Sequence, residues 1–87
     1  MANHKSSIKR ARQSQDRRLR NRMVKTRVKN AAKAVRAAVF ENPTDAPLQL
    51  RAAQSTIAKA AKKGVIHKRA AARKISRLAR QVNAATR

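Results

Sequence analysis

From Val24 onward, apolar residues recur at alternating steps of three and four. Val24, Val28, Ala31, Val35 and Ala38 do so first, with Val39 beside them; Leu50, Ala53, Ile57, Ala60 and Ala61 follow, then Ala71, Ile75, Leu78, Val82 and Ala85. Such steps stack side chains on one stripe of an α-helix, so three helices are predicted, each with one face to bury. Two interruptions separate them. ENPTDAP, Glu41 to Pro47, combines two prolines with Asn, Thr and Asp, so one helix should stop near Glu41 and the next start between Thr44 and Pro47. Gly64, the only glycine, follows AKAAKK. Glycine just past a basic last turn is the expected helix ending, with Val65 placed to fold back on the turn before it. Nineteen alanines favour helix, their small side chains let helices approach closely, and nothing suggests strands. The expectation is an all-α, antiparallel three-helix bundle with short connections. Phe40 closes the first stripe and is expected in its core.

The first stripe fades upstream of Val24. Only Ile8, Ala11, Leu19 and Met23 are apolar between Lys5 and Met23, and Leu19 lies off the stripe. The first helix should therefore be long, with a basic amino-terminal part that has no partner helix and projects about 25 to 30 Å at 1.5 Å per residue. The division expected is a projecting arm over residues 1–22 and a three-helix bundle over 23–87, within one domain. Ser6 or Ser7 is expected to cap the arm helix.

Charge changes the picture from a small bundle to a bundle in need of a partner. The chain has 87 residues and a net charge of +21, from 24 Lys and Arg against three acids, none of them after Asp45. Leu, Ile, Val and Phe together number only 15, so the core is thin and self-repulsion works against the compact state until a polyanion neutralises it. On the arm, Lys5, Lys9, Arg10, Arg12, Arg17, Arg18 and Arg20 point in all directions at about 100° per residue, which no solvated back face of a core helix requires. Beyond it, Arg22, Lys25, Lys29, Lys33 and Arg36 form one stripe away from the apolar seam. Arg69, Arg73, Arg77 and Arg80 fall opposite the Ile75 seam, and Lys63 precedes the glycine. Surfaces meant only for solubility mix both signs; these do not. Fourteen of the basic residues are Arg, whose planar fork pairs with phosphate oxygens.

A single Phe and no Trp or Tyr argue against stacking platforms for single strands. Recognition should instead rest on phosphate positions and on the shape of folded nucleic acid. An arm charged all round suits burial between several RNA helices; against one DNA duplex half of that charge would be idle. A DNA-compacting basic nucleoid protein is the alternative, and a membrane-surface protein would need a wider apolar face than Ala and Val provide. The Arg-rich, acid-poor start also fits an organellar transit peptide, yet the basicity continues far past any cleavable segment.

Catalytic chemistry finds little purchase. Asp16, Glu41 and Asp45 form no carboxylate pair, His4 and His67 are isolated, and there is no cysteine, no glycine-rich phosphate loop and no metal-ligand spacing. No enzyme, no cofactor, no metal, no small-molecule substrate and no membrane partner are expected. His67 opens the third helix and is read either in a cap or packing role or as an RNA contact.

MANHKSSIKRARQS at the start, RRLRNR at Arg17 to Arg22, and KKGVIHK at Lys62 to Lys68 followed by AARKISRLA resemble, in order and over nearly the whole chain, the protein-number-twenty family of the bacterial small ribosomal subunit. The resemblance implies a cytoplasmic, ribosome-bound three-helix protein that binds 16S ribosomal RNA directly, in its 5′ domain and at the base of the penultimate helix, and supports subunit assembly. Carried over by position, RNA contacts are implied at Asn3, Lys5, Ser6, Lys9, Arg10, Arg17, Arg18, Arg20, Asn21 and Arg22. The carboxyl-terminal motif adds His67, Lys68, Arg73, Lys74 and Arg77. To these the charge pattern adds Arg12, Lys25, Lys29, Lys63, Arg69 and Arg80. The family usually carries Asn where Arg69 stands and a basic residue where Ile75 stands, which leaves Ile75 open between core and RNA.

Overall fold

A computed structural model describes the backbone of residues 2–86 and the side chains of residues 5–86. Three helices follow one another: α1 (Ala2–Glu41), α2 (Ala46–Lys62) and α3 (Lys68–Thr86), with no strand among the described residues. The molecule measures 67 × 23 × 13 Å. Its length is that of α1, since 40 helical residues span about 60 Å.

No glycine or proline occurs before Pro43, so nothing interrupts α1 until Asn42, whose N–H donates to the Ala38 carbonyl at 2.9 Å. Proline then disfavours helix for the residue before it. The chain reverses through Asn42–Asp45, where the Asp45 N–H donates to the Asn42 carbonyl at 3.0 Å and Asn42 Nδ2 donates to Asp45 Oδ2 at 2.8 Å. Asp45 stands at the N-cap of α2, and its carbonyl accepts the first helical bond from Gln49 at 3.0 Å.

The second reversal turns on Gly64, at φ +78°. Gly64 N–H donates to the Ala61 carbonyl and Val65 N–H to the Ala60 carbonyl, both at 3.0 Å. This paired closure satisfies the last carbonyls of α2 and needs a left-handed residue where glycine stands. The expected helix ending at Gly64, with Val65 folded back, is therefore present.

Two short reversals make the helices run up, down and up. Val28 and Val35 of α1, Ala46, Ala53, Ile57 and Ala60 of α2, and Ala71, Leu78 and Val82 of α3 form the buried core. Val24, Ala31, Ala38, Val39, Leu50, Ala61, Ile75 and Ala85 are partly buried, so each predicted seam faces inward. Ile75 packs against the core. Ala46 extends the α2 seam one turn beyond its predicted start and is fully buried. No polar or charged side chain is buried among the described residues.

Two expectations are corrected. Phe40 is not core: it is 87% exposed. Val39, four residues after Val35, holds the seam position, and Phe40 lies about 100° further round the helix. Ser6 and Ser7 do not cap α1, because the helix already runs from Ala2 and both serines sit inside it.

Candidate nucleic-acid interface

Every side chain from Lys5 to Arg20 is exposed, so α1 leaves the bundle as a bare helix. Lys5, Ser6, Lys9, Arg10 and Arg12 stand on it free of the other helices, over somewhat less than half of its circumference, and Arg18 carries the charge further round; Asn3 and His4 lie outside the described side chains. At the arm's base the picture becomes three-dimensional. Because α2 runs antiparallel to α1, its end and the Gly64 turn come back to the point where the arm departs. Arg17, Arg20, Asn21, Met23, Val24 and Arg27 of α1 line an open groove of about 420 Å³ with Lys63 and Val65. RRLRNR and KKGVIHK, some 40 residues apart in sequence, thus form one surface. On the next face of α1, Ser14, Arg17, Arg18, Asn21, Arg22 and Lys25 border a second hollow.

A third groove, about 480 Å³, lies between α1 and α3. Its floor is Val28, Ala32 and Ile66, and its rim is Lys25, Lys29, Lys33 and Arg36 with Lys74 from α3. The floor is what the bundle needs for packing, and the rim is what a phosphate chain needs: cations that keep aliphatic stems on apolar surface and heads in water. On the opposite flank, Arg27, Thr56, Lys59 and Lys63 border a smaller hollow of about 190 Å³ over Val24 and Ala60. No acid lines any of these four surfaces. Charge of one sign in concave surfaces focuses the field on an incoming polyanion.

Not every candidate joins this arrangement. Lys68, Arg69, Arg73, Arg77 and Arg80 are exposed on the outside of α3, and of the third helix's cations only Lys74 meets the α1 rim. His67 is the helix cap: its Nδ1 accepts the Arg69 N–H at 3.1 Å, and its carbonyl accepts from Ala71 at 3.0 Å. That leaves Nε2 of an exposed ring for a partner. The bond also places the family's departure at Arg69 in context, since position 69 contributes its backbone N–H to the cap whatever side chain it carries. Arg27 and Lys59 were absent from the candidates. Lys59 lies one turn before Lys63 on the same face of α2, and that spacing was the available signal.

No helix among the described residues is long and apolar enough to cross a membrane, and no cluster of three metal-binding side chains occurs among them. A thin alanine-rich bundle, a bare basic helix and cation-lined grooves without acids define a class: small, strongly basic helical proteins.

Sequence comparison narrows that class. Residues 2–83 match the family model described as ribosomal protein S20. The chain is 61% identical over 83 residues to "Small ribosomal subunit protein bS20" of Nitratidesulfovibrio vulgaris (strain DSM 19637 / Miyazaki F), covering 94% of this chain and 95% of the relative. It is likewise 61% identical over 84 residues to the protein of that name in Maridesulfovibrio salexigens, at 95% and 97% coverage. To that of Syntrophobacter fumaroxidans it is 49% identical over 85 residues, at 97% and 99%. The chain belongs to the ribosomal protein S20 family.

Proposed function

We propose that this protein is a non-enzymatic structural constituent of the small ribosomal subunit in the cytoplasm, and that it binds 16S ribosomal RNA directly, in the 5′ domain and at the base of the penultimate helix, to support assembly. Residues 1–22 act as an arm threaded between RNA helices, and residues 23–87 as the bundle that seats it. The observation that carries the reading is the convergence of Arg17, Arg20 and Asn21 with Lys63 in one groove at the arm's base. Two cationic segments, brought to one acid-free surface by the antiparallel run of α1 and α2, fit a single bound phosphate chain.

Arm residues Lys5, Ser6, Lys9, Arg10, Arg12, Arg17, Arg18, Arg20, Asn21 and Arg22 meet phosphates and riboses from all sides; Asn3 extends the same run. Lys25 and Lys29 continue it along the bundle with Lys74 across the groove, while Lys68, Arg69, Arg73, Arg77 and Arg80 offer a separate surface on α3. Neutralising around ten phosphates makes the affinity fall by several decades as salt rises from tens to hundreds of millimolar. Recognition is by shape and phosphate position, so specificity comes from the fold of the RNA.

The test is competition at near-physiological salt: labelled 5′-domain ribosomal RNA, bound to the protein, is challenged with excess duplex DNA and with unrelated structured RNA. Survival of the complex against both is expected. Equal displacement by either would mean that charge alone drives binding and would favour a DNA-compacting role.

A further inference from the structure

Phe40 is the largest exposed apolar side chain of the described residues, and its position is not random. Arg22, Lys25, Lys29, Lys33 and Arg36 follow one another on one face of α1, and Phe40 is the next residue on that face, four beyond Arg36. Beside the ring lies a mostly apolar groove of about 430 Å³, formed by Arg36, Val39 and Phe40 of α1 with Gln81, Ala84 and Ala85 of α3. Arg36 also belongs to the rim of the groove that Lys25, Lys29, Lys33 and Lys74 surround. The cation-rimmed groove and the aromatic groove therefore adjoin each other between α1 and α3, with Arg36 lining both. No acid lines either part, and Glu41 lies about 100° round the helix from Phe40.

We infer that Phe40 and this groove hold one unstacked nucleobase of the RNA whose phosphates lie along the Lys25–Arg36 rim. The inference rests on the ribosomal RNA reading above and adds to it a base contact in a protein otherwise suited to phosphates. One helical turn, about 6 Å, separates Arg36 from Phe40. A strand with a phosphate on Arg36 brings its neighbouring nucleotide over the ring, where the base can stack on Phe40 and offer an edge to the Gln81 amide. An apolar ring with a purely cationic approach fits a ligand whose flat apolar face is tied to an anion. A second copy of this chain, itself at +21, would be repelled from the same approach. One ring makes no platform; it anchors a single base and so sets the register of the strand on the stripe.

The chain contains no Trp or Tyr, so Phe40→Trp makes the indole the only strong emitter in the protein. The full-length chain carrying it is titrated with a 5′-domain transcript of 16S ribosomal RNA, with circular dichroism confirming an unchanged fold. Quenching of the indole on complex formation is expected, as a stacked base produces. In parallel, Phe40→Ala should weaken binding roughly tenfold and leave the slope of log affinity against log salt unchanged, because no phosphate contact is lost. Phe40→Leu, apolar but unable to stack, should behave like Phe40→Ala. Arg36→Ala should do the reverse of the ring's variants and make the slope shallower by about 1. An indole whose emission does not change in a complex that forms, or a Phe40→Ala protein that binds as tightly as the parent, overturns the inference and leaves the ribosomal RNA reading standing. A parent protein that fails to hold the transcript overturns both.

Discussion

Within the single helix α1, Leu19 is 58% exposed, whereas Val28 and Val35, two to four turns further on, are 4% and 0% exposed. The arm and the bundle share a backbone conformation but not a reason for it. In the bundle, Val28 and Val35 fold against Ile57 and the small residues of α2 and α3, and the helix is held by what it buries. From Lys5 to Arg20 the arm buries nothing. Its close neighbours Lys5 and Lys9, Arg17 and Arg20, and Arg18 and Arg22 sit one turn apart with like charge, and each such pair costs a few tenths of a kcal/mol. Most helical stability in proteins comes from packing an apolar face, and the arm has none to pack. The arm is therefore without the stabilisation that the bundle takes from its core.

The sharpest way to break this comparison is to cut it. A peptide covering Met1 to Met23 should be largely unfolded alone and become helical on ribosomal RNA, a change of state visible by circular dichroism. High helicity without RNA would show that the arm needs no partner. Next in size, replacing Arg17, Arg18, Arg20 and Arg22 together by Gln should weaken RNA binding by roughly 10³-fold and make the salt slope shallower by about 3 to 4. The unfolding midpoint of the bundle should stay where it was; a large drop would give the arm a structural role that its exposure denies.

Ile57→Ala tests the other side. Ile57 is fully buried, and truncation should cost about 2 to 5 kcal/mol, read from the thermal unfolding curve. In a core whose other α2 members are alanines, few neighbours are large enough to close over the gap. Its salt slope with RNA, measured where the variant is folded, should match that of the parent. The smallest effect is at the turn that joins the two regions. A Cβ at Gly64 meets nothing within 4 Å, so Gly64→Ala is opposed only by the left-handed backbone, and about 1 kcal/mol should be lost in urea unfolding. RNA binding that falls with the Lys63→Ala variant but holds in Gly64→Ala would separate the charge of this turn from its shape.

Most of the fold was legible because each helix carries its apolar residues at steps of three and four with little competing signal. The seams through Val28, Ile57 and Leu78 are those the sequence shows, and proline and glycine mark both reversals. Phe40 stands just past the end of the first stripe but not on it: Val39 fills the seam position, and Phe40 lies about 100° further round the helix. Ala46 was missed because a lone alanine near a turn carries no periodic signal of its own. For the interface, the charges were plain but their grouping was not. Which helix flank meets which depends on the direction of packing, and only that brings Lys74 to Lys25 and Lys63 to Arg17. At His67 the Nδ1 makes the cap, and the exposed Nε2 stays open to a partner.

α1 runs from Ala2 to Glu41 as one unbroken helix across the border between arm and bundle. A helix is stiff in torsion, so the bundle fixes the rotational phase of the arm like a key held by its bow. Every residue added or removed near Met23 would turn the arm by about 100° and slide it by 1.5 Å, leaving composition and net charge almost untouched. Seven residues would bring it back to within about 20° of its starting angle, displaced by roughly 10 Å. What the border between the two regions holds constant is therefore an angle, and the spacing between the arm's charges and the bundle's first seam is a gear setting that no count of arginines records.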